Sequence, residues 1–299
     1  MRPRTDQPGP WDQDVLVYHV TPDGHATRLA TFPRAGVPTI ARLQDGRLAA
    51  AHQHFPEDNG IDFDKVAVHF STDEGKSWTD PRVIALTGLT EGMRFPFDPT
   101  LVPLPDGRVR LYFTSARQRP PFSDPNERVP AIYSAISSNS IDFTVEPGRR
   151  FGIEGRPVID CAVALHNGTF HLYSPDNGVM PPQIPGQPPR FGGPSSSTAG
   201  YHATSTDGLV FTRADDVRIE GGGRWLGGAY SDGRTMTFFG TGRGIWSATS
   251  ADGAAWRLSG SWMLQGADPG AVPSRDGGWI VTGTGPPRPG TPSDRRRGR

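Results

Sequence analysis

One turn recurs along this chain and limits what it can fold into. Ser71-Thr72-Asp73-Glu74-Gly75-Lys76-Ser77-Trp78 reads as a tight turn between two strands. An aspartate there accepts from the N–H groups of its own turn, and a glycine allows a positive φ. Trp78 can fold back and plug the gap between neighbouring strands. Shorter copies follow at Ser205-Thr206-Asp207-Gly208-Leu209-Val210-Phe211 and Ser250-Ala251-Asp252-Gly253-Ala254-Ala255-Trp256, with a degenerate one at Ser137-Ser138-Asn139-Ser140-Ile141-Asp142-Phe143. A repeated turn with fixed serine, aspartate, glycine and aromatic positions is the mark of a radial β array.

A second turn series interleaves with the first. Asp45-Gly46, Asp106-Gly107, Asn167-Gly168, Asp232-Gly233 and Asp276-Gly277 each separate two short apolar runs. Such dipeptides are the strongest hairpin signals in a sequence. The unit is therefore four strands, an inner hairpin followed by an outer one. Blade one spans about 38–84, blade two 98–151, blade three 160–219 and blade four 225–263. The last hairpin, around Asp276, has no outer partner after it. The N-terminal runs 14–20 and 26–32, which flank Thr21-Pro22-Asp23-Gly24, supply that half. Joining the ends closes a fifth blade and removes exposed sheet edges. The expected fold is all-β, a five-bladed β-propeller whose last blade is closed by the N-terminal strands. A flexible N-terminus (1–11) precedes a single propeller domain (12–285), and a disordered basic tail (286–299) follows.

Composition narrows the function. With 38 glycines and 31 prolines among 299 residues, turns are many and long helices few. Thirty-one basic residues balance 31 acidic ones, which argues against a nucleic-acid partner. No run is long enough to span a membrane and the N-terminus lacks a signal-peptide core, so no membrane partner and a cytoplasmic location are expected. Cys161 is the sole cysteine, so no intrachain disulfide forms. The composition bias suits a high-GC bacterium. The expected partner is a small-molecule substrate, and no oligomeric state is read from the chain.

Counting back from each inner turn gives a register for the channel mouth. Asp98 and Asp268 stand eight residues before Asp106 and Asp276, and Asp160 seven before Asn167. The same count gives Val37 in blade one and Arg224 in blade four. Carboxylates around one pocket push their pKa values apart and can divide into acid and base, so Asp98, Asp160 and Asp268 are candidate catalytic groups. The bland alternative is that they cap turn N–H groups. His52 and His54 alternate on one strand end and are candidate proton carriers. With Asp98 they could hold a divalent metal, although no spacing motif asks for one, and no cofactor is expected. Arg94, Arg117 and Arg224 are candidate substrate contacts favouring an anionic group, with a salt bridge to the acidic ring as alternative. Tyr173 and Asp176, at the end of a blade-three strand, complete the substrate-binding set. The 174–200 loop, rich in Pro, Gly and Ser, is long enough to act as a lid.

The repeated turns resemble those of sialidases and other BNR (Asp-box) repeat propellers. The strand pair Asp98-Pro99-Thr100-Leu101-Val102 to Arg110-Leu111-Tyr112-Phe113 resembles that of five-bladed arabinanase- and invertase-type glycosidases. The likeness spans most of residues 12–285 and concerns the scaffold. Sialidases carry Arg-Ile-Pro in the first blade, where this chain has Gly36-Val37-Pro38, so their carboxylate-gripping arginine is absent. The arabinanase type implies Asp, Asp and Glu in three successive blades. Asp98 and Asp160 match two, and Arg224 stands in the third. The resemblance implies a glycosidase-like enzyme using carboxylate acid/base chemistry. A non-hydrolytic cyclase, lyase or isomerase using the same pocket, and a non-catalytic carbohydrate-binding propeller, are the alternatives.

Overall fold

The computed structural model describes residues 9–58, 60–118, 122, 125–179, 198–264 and 266–293. In it the apolar runs pair through the two turn series into five antiparallel sheets around one axis. Blade one is Ala35–Arg42, Leu48–His54, Lys65–Ser71 and Arg82–Val83; blade two is Phe97–Pro103, Val109–Ser115, Ala131–Ser137 and Asp142–Val145. Blade three is Ala162–His166, Thr169–Pro175, Gly200–Ser205 and Thr212–Arg213; blade four is Arg224–Ser231, Met236–Thr241, Ile245–Ser250 and Arg257–Trp262. Blade five joins Ala267–Pro273 and Trp279–Thr284 to Val15–Val20 and Ala26–Phe32. The closure is continuous, from Val15 opposite Thr284 to Val20 opposite Trp279. Blade two also gains a fifth strand. Ala85–Thr87 leaves blade one and runs parallel to Asp142–Val145, covering its open edge.

Burial explains the apolar runs. Second strands such as Val109–Ser115 are buried along their whole length, because sheets face them on both sides. Outer strands such as Arg257–Trp262 are largely exposed. The apolar side chains form five separate cores, each between two neighbouring blades.

The recurrent turns tie these cores at the rim. In three turns the serine hydroxyl donates to the aspartate of the same turn and accepts the glycine N–H at 2.9 Å. The aspartate then accepts further N–H groups, Leu209 and Val210 on Asp207, Ala254 and Ala255 on Asp252. Asn139 does the same with its amide oxygen. Hydrogen bonds from Ser77, side chain then backbone, hold the Asp73 carboxyl down at about 2. The closing aromatic crosses to the preceding blade: Trp78 meets Phe32, Phe211 meets Tyr112 and Trp256 meets Tyr173.

Some described residues outside the limits of 12 and 285 also make contacts with the ring. Trp11 packs on Phe55 and Phe63 at ring distances of 6.4 and 5.8 Å. The Arg288 N–H donates to Asp12 O at 2.7 Å and the Ser293 hydroxyl to Asp12 Oδ2 at 2.5 Å. Residues 9–11 and 286–293 therefore have places on the ring, beyond the limits of 12 and 285 read from the sequence. These anchors are polar and aromatic contacts between distant segments, which no local pattern announces. Among the described residues no helix is long and apolar enough to cross a membrane.

Candidate active site

Four of the five inner hairpins carry a two-residue irregularity where the first strand begins, and in blade three Asp160 stands just before a strand that pairs without one. Register slips between Gly36 and Thr39, Phe97 and Thr100, Arg224 and Gly227, and Ala267 and Gly270. Val37, Asp98, Asp160 and Asp268 take left-handed backbone, with φ of 49°, 50°, 69° and 51°. Such a conformation in a non-glycine residue costs about 1–3 kcal/mol and persists only where its surroundings impose it. A threonine in the preceding blade does so. The Asp160 N–H donates to Thr114 Oγ1 at 2.9 Å, Asp268 to Thr241 at 2.9 Å and Val37 to Thr284 at 2.8 Å. This left-handed backbone brings three aspartates, from blades two, three and five, to one end of the axis.

Asp98 and Asp160 are each only 7% exposed, and Asp268 is half-buried. Burial pushes the Asp98 carboxyl up to about 7; the Asp268 charge adds to this, and Arg94 opposes it. Burial, then the charges of Asp98 and Asp268, lift Asp160 well above the carboxylate range. Burial lifts Asp268 to about 6, held back by Arg224 and the Thr284 hydroxyl. Three acids on one axis thus titrate apart, as groups must when like charges share a dry site. Asp160 and Asp268 also line a void of about 30 Å³ on the axis, with Val37, Thr39 and Thr100 among its other walls.

Two of the expected arginines belong to this group. Arg94 lies over the Phe97 ring at 3.9 Å and acts on Asp98. Arg224 acts on Asp160 and Asp268, donates to Asn177 Oδ1 at 3.1 Å, and keeps a buried Nε–H without a partner among the described residues. Its route to the site differs from the one counted. The residue at the blade-four bulge is Trp225, buried among Tyr173, Phe238, Trp246 and Trp256. In blades one, two and five the Asp of the Asp-Gly pair sits at the hairpin apex. In blade four Ser231 pairs with Met236, so the apex lies between Gly233 and Arg234 and Asp232 is still on the strand side.

Other candidates lie elsewhere. His52 is buried between blades five and one, stacked on Phe32 and His69, with its Nε2 3.0 Å from His69 Nε2. Burial, then the neighbouring His69, lowers it to about 3, which unsuits it as a proton carrier. His54 is half-buried on the same face, 5.9 Å from the His52 ring, with Nδ1 unpartnered among the described residues. Both side chains point into the blade interface because the strand alternation faces them away from the axis. Neither acts on the three aspartates. Among the described residues no three His, Cys, Asp or Glu side chains are placed to hold a metal, so the His52–His54–Asp98 grouping does not form.

Arg117 pairs with Glu127 at 3.1 Å and borders a separate cavity of about 400 Å³ with Met93 and Tyr133. Tyr173 is fully buried, and its hydroxyl donates to Gly253 O at 2.7 Å. Tyr112 makes the matching bond to Gly208 O at 2.9 Å, so both tyrosines join one blade to the rim turn of the next. Tyr173 is therefore a packing residue. Asp176 accepts from Arg156 at 3.1 Å, Tyr201 at 2.5 Å and the Gly178 N–H at 2.9 Å, which fixes its own turn. Most of the 174–200 loop, from 180 to 197, lies outside the described residues.

The sequence reading missed Asp64, Gln53 and Asn177. Asp64 takes the Arg94 guanidinium at 2.7 Å and the Gln53 amide at 2.8 Å. Asn177 bridges Ile159 O, at 3.1 Å, to Arg224. All three lie on or next to the loops after strand two, outside the spacing that exposed the aspartates.

No protein-family model matches the chain, and none of the curated proteins does. Solved structures do. The Bombyx mori GH32 beta-fructofuranosidase superposes with a TM-score of 0.54 at 11% identity, over 89% of this chain and 61% of that one. A glycosyl hydrolase from Bacteroides ovatus gives 0.50 at 13%, over 98% and 95%. A protein of unknown function from Dyadobacter fermentans gives 0.53 at 14%, over 89% and 84%. The chain spans about three fifths of the Bombyx mori enzyme. At these identities the likeness is one of fold alone.

Proposed function

We propose that the chain is an enzyme acting on a sugar or sugar-like small molecule by carboxylate acid/base chemistry at the axial end of the channel. The observation that carries this reading is the trio Asp98, Asp160 and Asp268, held on strained left-handed backbone in three blades, with carboxyls raised to different extents. Strain and perturbed carboxyls together favour chemistry over simple capping. Asp268, held lowest by Arg224 and Thr284, acts as base. Asp160, kept protonated by burial and two acidic neighbours, acts as acid. In hydrolysis Asp160 gives its proton to the departing glycosidic oxygen while Asp268 takes one from the attacking water, so the proton count balances. The glycoside hydrolases among the fold neighbours support this choice of substrate class by analogy only.

The test is turnover of a panel of aryl glycosides and oligosaccharides by the wild type, Asp160→Asn and Asp268→Asn, with melting temperatures measured alongside. Each variant is expected to stay folded and to lose about 10²–10⁴-fold in turnover. Folded variants with undiminished turnover would sink the mechanism. Wild-type protein that binds sugars without converting any would leave the carbohydrate-binding alternative, and conversion without hydrolysis the lyase or isomerase one.

A further inference from the structure

An ion pair beside the acidic ring is made to a residue outside it. Arg94, in the approach to blade two, gives its guanidinium to Asp64 of blade one at 2.7 Å. Asp64 is held from several sides. Its backbone is left-handed at φ 62°, its N–H donates to His54 O at 2.9 Å, and its other oxygen accepts from Gln53 at 2.8 Å. Stacking on Phe97 fixes the arginine end. A residue so tethered presents its charge from a set place.

We propose that Asp64 is a positioning residue that shares the charge of Arg94 across the boundary of blades one and two and so weakens the pull of Arg94 on the Asp98 carboxyl. The groups facing Asp98 are Arg94 and Asp64, the Asp160 and Asp268 carboxyls from blades three and five, and the Thr114 hydroxyl of its own blade. Arg224 of blade four acts on Asp160 and Asp268. Arg94 is thus the cation that draws Asp98 toward ionisation, and Asp64 is its competitor. Without the Asp64 charge, a negative neighbour is lost and the guanidinium is free to serve Asp98, and both changes favour the ionised form. An ionised Asp98 would in turn hold Asp160 more firmly protonated.

The significance of this assignment rests on the reading of the ring as proton-carrying, but its test needs no substrate. Carboxyl carbon NMR would follow the titration of Asp98, whose signal is identified by its loss in Asp98→Asn. In Asp64→Asn the Asp98 midpoint is expected to fall by about one pH unit or more. In Asp64→Glu, which keeps the charge, it should return toward the wild-type value. An unchanged or raised midpoint in Asp64→Asn would overturn the assignment. If that variant fails to fold, Arg94→Gln serves instead. There the midpoint should rise, and an unmoved one would equally overturn it. A moving midpoint in a protein without turnover upholds this assignment and sinks only the catalytic reading. Turnover with an immobile midpoint does the reverse.

Discussion

At the scale of single residues, the buried carboxyls give the protein a pH signature. An aspartate titrates near 3.9 when unfolded, and Asp98 near 7 when folded. Between those values the native state binds more protons, so this group's contribution to stability is full below about pH 4 and is lost as pH rises through about 7. The buried histidines act in the opposite direction. His52 is lowered to about 3, so the native state resists its protonation and stability falls as pH drops below about 6.5. The two trends overlap, and only a comparison separates them. The melting temperature of Asp98→Asn relative to wild type is expected to rise from pH 5 to pH 8, read by calorimetry at both. A difference independent of pH would show that Asp98 is already ionised throughout. For the proposed reaction the pH–rate profile should have an acid limb near 6, set by Asp268, and an alkaline limb set by Asp160, well above the ordinary carboxylate range.

At the scale of elements, the rim turn is the device that joins blades. Gly253 sits at φ +76°, and a Cβ there would come within 2.3 Å of His171 Nδ1 and 2.8 Å of the Tyr173 hydroxyl. Gly253→Ala is therefore destabilising on two counts, backbone conformation and crowding. Trp256 is half-buried and donates from Nε1 to Gly253 O at 3.0 Å. Its replacement by alanine should cost about 2–4 kcal/mol, below the full burial value for a tryptophan. Tyr173→Phe should cost about 1 kcal/mol, the size of one buried hydrogen bond, and Tyr112→Phe about the same. Chemical denaturation would measure all four, and ligand affinity should be untouched by each. A loss of affinity in Tyr173→Phe without loss of stability would return that residue to the site. These elements also show what a sequence can disclose. Asp98, Asp160 and Asp268 were legible because each stands at a set distance before its hairpin. Arg224 and Trp225 were confused because the same spacing was measured from Asp232, which is not at an apex. Tyr173 was misplaced because strand alternation alone does not say which blade interface a buried ring enters. Asp64 left no local trace, since only the docking of two blades brings it to Arg94.

At the scale of the whole molecule, the ring has one seam. Blade five is built from both ends of the chain, and six residue pairs between Val15–Val20 and Trp279–Thr284 close it. Removing residues 1–32 should leave Trp279–Thr284 with a bare edge and expose the core that Val15, Val17 and Phe32 share with blade one. Soluble folded protein is expected to be lost, as judged by circular dichroism and gel filtration. A truncated protein with an unchanged melting temperature would mean the seam contributes nothing. The seam also sets an order of events at the ribosome. The N-terminal hairpin is made first, yet the strand it pairs with emerges roughly 250 residues later, about 12–50 s at ordinary rates of synthesis. During that interval blades one to four can assemble in turn while Val15–Phe32 waits with an open strand edge. The nascent chain is then most in need of a chaperone at Val15–Phe32, and slowing translation between that hairpin and its partner strand should lengthen the exposure.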